Sequence, residues 1–255
     1  MIAWRHGCFL EDRVALHLAG GGFRCGLGVF ETILAVRGAP LRLERHLARM
    51  AASLDALGVA HEALDPEEMH ARCVEVLEHN ALETARVNIF CFQDDPGQKT
   101  APLIAAAPYV VQARAVRRLT VYPRVQASYL CAHKTMANLH PRLAWEYARR
   151  SGYDDAVLAG PEGLALEAAT AALLFSDGKH FFTPATPFKL PSLALEAASR
   201  ILPVTEREIF VADFGAFRHA YALNSLIGIQ PVIQIDGVSF QPDVATCLAV
   251  GTGKF

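Results

Sequence analysis

The chain has 255 residues, enough for one large domain or two modest ones, each able to bury a hydrophobic core. Its composition is 52% hydrophobic and 20% charged, which excludes an intrinsically disordered protein. The formal net charge of -2 gives no electrostatic basis for binding nucleic acid or an anionic membrane. Any anion-binding site must therefore depend on a local group of residues and not on the overall charge.

The sequence also shows no sign of secretion, membrane insertion or metal binding. Its amino-terminal residues lack the apolar core of a signal peptide, and the longest apolar run is too short to span a bilayer. The six cysteines are scattered singly, with no C-x-x-C pair and no cluster of metal ligands. We therefore expect a cytoplasmic protein with reduced thiols and no metal site.

The first forty residues predict short strands around a glycine-rich stretch. Residues 13–18 alternate polar and apolar side chains, and residues 29–36 form a second strand candidate. Between them, residues 20–28 match neither the dinucleotide-binding pattern nor the phosphate-binding P-loop. Two interpretations of this stretch stay open, a tight turn between strands or a loop that faces a substrate.

Two helices and two strands are predicted next. From Leu43 the apolar residues recur at helical spacing as far as Gly58, and a second helix is predicted over residues 66–79. Residues 85–92 and 103–111 then favour strands, joined by the strong turn signal at residues 94–97.

The second half mixes strands and helices again. Strands are predicted at residues 119–125, 156–158 and 172–175, and helices at residues 141–151 and 192–201. We place the boundary between two domains in the stretch 112–118, giving an N-terminal domain of residues 1–115 and a C-terminal domain of residues 116–255. Strands and helices in both halves predict an α+β or α/β fold.

Three places in the chain carry residues suited to chemistry. Most lysines are solvated, but Lys134 lies in a nearly uncharged stretch, where a partly desolvated amine becomes a usable nucleophile and base. Glu167 is the one formal charge in a long apolar segment, and a buried carboxylate there requires a cationic partner. His46 and Arg49 share one helix face, which is either a solvated charged surface or part of a site.

Taken in order, these residues resemble the class IV aminotransferase family of enzymes that use pyridoxal 5′-phosphate (PLP), known as fold type IV. The resemblance extends from about residue 13 to residue 236, and each piece is weak without the others. The matching segments are residues 22–32, His46-x-x-Arg49, residues 133–135, 154–158, 167–175, 190–192 and 224–232.

The resemblance implies a role for each candidate residue. Lys134 would form the covalent bond to PLP and move the substrate proton, Glu167 would keep the pyridine nitrogen protonated, and Thr32 would assist an elimination. The cofactor phosphate would be bound by Arg49, by the backbone N–H groups of Leu193 and Ala194 at a helix start, and by the Ser225 hydroxyl. The residues expected to contact the substrate are Phe30, Asn224 and Leu226.

The family also implies an architecture. We expect two α+β domains with PLP in the cleft between them, a barrel-like C-terminal half that bears the PLP lysine, and a homodimer.

Several positions depart from the family pattern. The aspartate often found in the Gly-x-Gly turn is Leu27 here, the usual asparagine after Glu167 is Ala172, and a helix-start threonine is Ala194. Leu139 stands where branched-chain members carry a tyrosine, and Phe92 and Gln93 replace an Arg-Gly pair that binds substrate carboxylate in other subgroups.

These features favour a PLP-dependent 4-amino-4-deoxychorismate lyase of folate biosynthesis, which releases pyruvate and forms 4-aminobenzoate. Thr32 and the compact length of the chain support this subgroup. Two alternatives stay open: a transaminase of branched-chain or D-amino acids, and a catalytically inactive homologue that serves as a binding protein.

Overall fold

The structure is a computed structural model that describes residues 1–112 and 115–251. It contains helices and strands in both halves and has the predicted fold type IV architecture. The backbone forms two compact units, one made of Met1–Val111 with His133–Ala137, the other of Gln112–Ala132 with Asn138–Phe255. Ala113 and Arg114, inside the predicted boundary stretch, lie outside the described residues.

The first unit is built on an antiparallel sheet. Among the described residues this sheet has six strands in the order β2-β1-β6-β5-β3-β4. The strands are β1 (Ile2–Arg5), β2 (Cys8–Glu11), β3 (Gly28–Val36), β4 (Ala39–Pro40), β5 (Ala85–Phe92) and β6 (Leu103–Pro108).

Three helices belong to this unit, α1 (Gly21–Cys25), α2 (Leu43–Ala56) and α3 (Pro66–His79). The apolar faces of α2 and α3 pack on the buried side chains of β3, β5 and β6 in one hydrophobic core. α3 begins at a capped end, where the Asp65 carboxylate accepts the Glu68 N–H at 2.8 Å. The predicted helices over 43–58 and 66–79 and the strand over 85–92 are confirmed, and the strand predicted over 103–111 ends at Pro108.

One expectation about the first forty residues was wrong. Residues 13–18 do not form a strand, because their apolar side chains do not pack against the core. Leu16 and Leu18 stay exposed. The glycine-rich stretch forms the short helix α1 and then the start of β3. Gly28 is required at that start, since a Cβ atom there would lie 2.5 Å from the Cys91 carbonyl oxygen.

The segment His133–Ala137 corrects the predicted domain division, which put it in the second domain. Its backbone runs along the start of β3: Phe30 N–H donates to the Lys134 carbonyl at 2.9 Å, and Met136 N–H donates to the Gly28 carbonyl at 2.9 Å. Val29 and Thr135 form an antiparallel bridge between these bonds. Lys134 therefore belongs to the first unit, because backbone pairing fixes this segment to β3.

The second unit is built on a mixed sheet that curls into a half-barrel. Within the described residues it has nine strands, eight of them in the order β12-β11-β10-β13-β14-β7-β8-β9, with β15 paired to β14. The strands are β7 (Arg117–Val121), β8 (Asp155–Ala159), β9 (Ala165–Ala168), β10 (Ala172–Ser176), β11 (Phe181–Pro184), β12 (Val204–Arg207), β13 (His219–Asn224), β14 (Gly228–Ile235) and β15 (Val238–Ser239).

The helices of this unit are α4 (Leu139–Arg150), α5 (Leu193–Ala198) and α6 (Val244–Val250). The strands predicted near 156–158 and 172–175 and the helices predicted near 141–151 and 192–201 are confirmed, with ends shifted by one to three residues. The predicted strand 119–125 begins earlier and ends at Val121. Among the described residues, no helix is both long and apolar enough to cross a membrane.

Candidate active site

Lys134 lies on an aromatic surface of the first unit. Its Nζ atom is 4.5 Å from the centre of the Phe30 ring, a cation–π contact that holds the amine at the sheet. Phe30 in turn stacks on Phe90 of the neighbouring strand, with ring centres 6.0 Å apart. Because the backbone of Lys134 is paired with β3, the amine is positioned from both its main chain and its side chain.

Thr32 projects from the same face of β3 as Phe30, since alternate residues of a strand point to the same side. Its Oγ1 accepts a hydrogen bond from Asn88 Nδ2 at 2.9 Å, and the same amide donates to the Glu31 carbonyl at 3.0 Å. A hydroxyl that accepts from an amide directs its own proton elsewhere. Asn88, which the sequence did not single out, therefore orients Thr32 as a donor.

Arg49 is held by a buried carboxylate. Its Nε donates to Glu31 Oε1 at 2.8 Å and its Nη2 donates to Glu31 Oε2 at 2.7 Å, a bidentate pair. His46, on the same helix face, donates through Nδ1 to Oε2 at 2.7 Å. Of the two interpretations of His46 and Arg49, the solvated surface is wrong, because His46 is buried and Arg49 is 13% exposed.

The Glu31 carboxylate is ionised although it is buried. Burial by itself raises the pKa of such a group, but the hydrogen bonds from His46 and Arg49 and the positive charge of Arg49 outweigh it and lower the pKa to about 2. His46 and Arg49 thus compensate the buried negative charge of Glu31. Glu31 lies inside the matched segment 22–32, yet its role required knowing which way β3 faces.

Helix α2 also connects Arg49 to the segment that carries Lys134. Ser53 is four residues after Arg49 and so lies on the same helix face. Its hydroxyl oxygen is 3.1 Å from Nδ1 of His133, the residue before Lys134. Arg49 therefore lies one helical turn before Ser53, the residue through which α2 contacts the segment that carries Lys134.

The second unit holds Glu167 and the start of α5. Glu167 lies on β9, where its Oε1 accepts the Leu190 N–H at 3.3 Å. Ser192 caps α5 by accepting the Leu195 N–H at 3.2 Å, and Leu193 and Ala194 are the first two helical residues. The N–H groups of such positions point out of the helix end, where they attract anions.

A hairpin turn presents Ser225 and Leu226. The Asn224 side chain organises this turn: its Oδ1 accepts the N–H groups of Leu226 and Ile227, both at 2.9 Å, and its Nδ2 donates to the Thr170 carbonyl at 2.9 Å. Asn224 was predicted to contact the substrate, and in the structure its amide is engaged in the fold. Its substrate contact stays a prediction.

Thr170 is fixed by a fully buried carboxyl group. The Thr170 hydroxyl and N–H both donate to Asp155 Oδ2, at 2.6 and 3.2 Å, and the Ala156 N–H donates to Oδ1 at 2.8 Å. Burial raises the pKa of Asp155, and these donors only partly oppose it. No local pattern predicts this connection, because its members lie on β8, on β13 and in the turn before β10.

The sequence profile described as "Amino-transferase class IV" matches residues 28–235. The chain belongs to the class IV aminotransferase family. It is therefore a PLP-dependent enzyme, and the predicted family and cofactor are confirmed.

Known relatives agree with this assignment. The chain is 25% identical over 243 residues to a protein assigned as a branched-chain-amino-acid aminotransferase from Rickettsia bellii, covering 87% of this chain and 80% of that protein. Its fold is similar to the branched-chain aminotransferase of Thermoproteus uzoniensis, with a TM-score of 0.89, 22% identity, and coverage of 99% of this chain and 93% of that one.

A protein of Legionella pneumophila assigned as a 4-amino-4-deoxychorismate lyase has the same fold. The TM-score is 0.85 at 19% identity, and the match covers 96% of this chain and 97% of that one. These solved structures are similar to this chain in fold, and they include both a transaminase and a lyase.

The residues present fit the chemistry of PLP. The cofactor has an aldehyde, a phosphate and a pyridine nitrogen, which call for an amine, cationic or N–H donors, and a carboxylate. The first unit supplies a positioned amine in Lys134 and a guanidinium in Arg49. The second unit supplies the Glu167 carboxylate and the N–H groups at the start of α5.

Proposed function

We propose that the protein is a 4-amino-4-deoxychorismate lyase, which cleaves its substrate into 4-aminobenzoate and pyruvate. The observation that carries this proposal is the Thr32 hydroxyl, oriented by Asn88 on the β3 face whose Phe30 ring contacts the Lys134 amine. An elimination requires a base for the Cα proton and a donor near the departing group. Lys134 and Thr32 supply these two groups.

In this proposal each residue has one task. Lys134 would bond PLP through Nζ. Once the substrate amine takes its place on the cofactor, the released Nζ would take the substrate Cα proton. PLP, when bound, supplies a sink for the electron pair left at that carbon. Thr32 would donate its hydroxyl proton to the ether oxygen on the ring. The C–O bond then breaks, the ring becomes aromatic, and the released enol converts to pyruvate. Proton exchange with solvent resets Lys134 and Thr32.

Five further residues would hold the cofactor. Glu167 keeps the pyridine nitrogen protonated by placing a negative charge beside it. Arg49, the N–H groups of Leu193 and Ala194, and the Ser225 hydroxyl bind the phosphate. We propose that Phe30, Asn224 and Leu226 contact the substrate.

The experiment uses the purified full chain loaded with PLP. Pyruvate release from 4-amino-4-deoxychorismate is measured beside amino-group exchange with branched-chain and D-amino acids. Lys134→Ala should abolish both the visible absorbance of lysine-bound PLP and turnover. Borohydride reduction and peptide mapping should place the label on Lys134, and label on Lys179 or Lys189 would contradict the assignment.

The matched pair Thr32→Val and Thr32→Ser tests the donor. Valine keeps the shape and removes the hydroxyl, so pyruvate release should fall at least about tenfold, whereas serine retains the donor and should keep most of the activity. Equal pyruvate release by wild type and Thr32→Val would contradict the lyase mechanism.

A branched-chain transaminase is the second candidate. The similarity to the R. bellii and T. uzoniensis proteins favours it, and it would use the same Lys134 and Glu167. Amino exchange with branched-chain amino acids and no pyruvate release would select it. A chain that binds PLP and shows neither reaction would contradict both candidates.

We also propose that the protein is a cytoplasmic homodimer that acts in folate biosynthesis. The dimer is supported by the family resemblance, and light scattering of the PLP-loaded protein tests it. A monomeric mass at working concentrations would contradict it.

A further inference from the structure

The Glu31 carboxylate occupies a place in the first unit that the fold alone does not require. It lies on β3 with 1% of its side chain exposed, among the apolar residues that pack on α2. An apolar residue is the ordinary occupant of such a position, because burying a carboxylate is costly unless it is fully paired. Something other than packing accounts for a charge there.

The partners of Glu31 point to Arg49. A single carboxylate accepts three hydrogen bonds, two from the Arg49 guanidinium at 2.8 and 2.7 Å and one from His46 at 2.7 Å. The bidentate contact fixes the plane of the guanidinium, which a single hydrogen bond would leave free to rotate. His46 donates to Oε2, the same oxygen that accepts from Nη2, and its ring is buried.

From this geometry we infer that Glu31 is a positioning residue for the cofactor phosphate, acting through Arg49. This inference rests on the proposed function, in which Arg49 binds the phosphate of PLP. Glu31 engages the Nε and Nη2 atoms of the guanidinium and so sets its orientation. A side chain held in its binding geometry before the ligand arrives binds more tightly, because less conformational freedom is lost on binding.

The Glu31 charge also has an opposing effect. A carboxylate near the site repels a phosphate dianion, so its removal could tighten binding rather than weaken it. Two variants separate the effects. Glu31→Asp keeps the charge but shortens the side chain and withdraws the guanidinium, whereas Glu31→Gln keeps the length and removes the charge.

The test compares PLP with pyridoxal, which lacks the phosphate. Dissociation constants of both compounds are measured on the cofactor-depleted full chain, and a thermal melt confirms that each variant is folded. We expect both Glu31 variants to weaken PLP about tenfold and to change pyridoxal less than twofold. Glu44→Gln, an exposed acid on the first turn of the same helix, is the matched control and should change neither.

A double-variant cycle then shows whether Glu31 acts through Arg49. In an Arg49→Ala background, Glu31→Gln should change PLP affinity by less than twofold, because the group it positions is gone. The inference is overturned if folded Glu31 variants bind PLP as wild type does or more tightly, or if PLP and pyridoxal weaken equally, which indicates a purely structural role.

Failure of the proposed function gives a different result. If wild type binds PLP no better than pyridoxal, or Arg49→Ala leaves that preference intact, Arg49 does not bind the phosphate and both proposals fall. If wild type prefers PLP strongly and loses the preference only in Arg49→Ala, the Glu31 inference alone falls.

Discussion

Each unit of the molecule contains one almost fully buried carboxyl group behind its candidate site residues, and the two behave in opposite ways. Glu31 and Asp155 are each 1% exposed. Glu31 is paired with a guanidinium and an imidazole, and its pKa falls to about 2. Asp155 accepts hydrogen bonds from neutral groups of Thr170 and Ala156, and burial raises its pKa.

The difference shows how its partners set the pKa of a buried carboxyl group. At Asp155 the neutral donors and the charge of Arg117 do not offset the loss of hydration, whereas at Glu31 the direct hydrogen bonds from His46 and Arg49 do. In the first unit Glu31 therefore holds Arg49 by charge. The second holds its turn by neutral hydrogen bonds that run from Asp155 through Thr170 to Asn224.

The largest expected effect is on stability in acid. A carboxyl pKa lowered from 4.5 to about 2 stabilises the fold by on the order of 3 kcal/mol at neutral pH. Because the folded pKa is below the unfolded one, this contribution is lost as the pH falls from about 4.5 to about 2. Urea unfolding of wild type and Glu31→Gln from pH 7 to pH 2 should show a difference in unfolding free energy that shrinks in this window. A difference that stays constant would show that the lowered pKa of Glu31 does not stabilise the fold.

Glu167 is expected to affect the reaction and not the fold. In Glu167→Gln the amide oxygen can still accept the Leu190 N–H, but the charge that we propose keeps the pyridine nitrogen protonated is gone. We expect proton abstraction to slow at least about a hundredfold, roughly 2.7 kcal/mol, in a protein that still binds PLP. Single-turnover rate and thermal midpoint are measured on one sample. A destabilised but fully active variant would mean that Glu167 has a structural role.

A substitution at Thr170 tests the neutral hydrogen bonds that surround Asp155. Thr170→Val removes the hydroxyl that donates to Asp155 at 2.6 Å and leaves a buried oxygen without that partner. The expected loss of unfolding free energy is about 2 kcal/mol, and Thr170→Ser should retain most of the stability. If valine and serine are equally stable, the Asp155 contact does not hold the turn.

The smallest effect is expected at Asn224. Asn224→Asp keeps an acceptor for Leu226 and Ile227 but places an oxygen against the Thr170 carbonyl in place of the donating Nδ2. The cost should be about 1 kcal/mol at neutral pH. It should shrink below about pH 4, where a protonated aspartate can donate again. A cost independent of pH would show that the carbonyl contact is unimportant.

Much of the fold followed from local patterns in the sequence. The apolar stripe from Leu43 predicted α2, the Pro66 start predicted α3, and the turn signal at residues 94–97 separated β5 from β6. These elements depend on periodicity and turn chemistry within a few residues. Residues 13–18 have the alternation of a strand but no surface to cover, and only the folded structure shows that.

The candidate site was predictable by residue type but not by partner. The resemblance pointed to Arg49, Glu167 and Lys134 through their ordered spacing, whereas Glu31, Asn88 and Asp155 act through contacts between distant parts of the chain. Asn88 reaches Thr32 across 56 residues, a separation that no local pattern encodes. For the same reason the segment around Lys134 was put in the wrong domain, since its pairing partner is β3.

The pairing of His133–Ala137 with β3 also affects folding during synthesis. The chain leaves the first unit after Val111 and returns to it at His133–Ala137, so the first unit is still incomplete when a ribosome has released only residues 1–111. Until then the start of β3 presents the unpaired Gly28 carbonyl and Phe30 N–H as an open strand edge, a surface prone to pairing with other chains. A fragment ending at Val111 should therefore aggregate during expression, and one extended to Ala137 should be markedly less prone to do so.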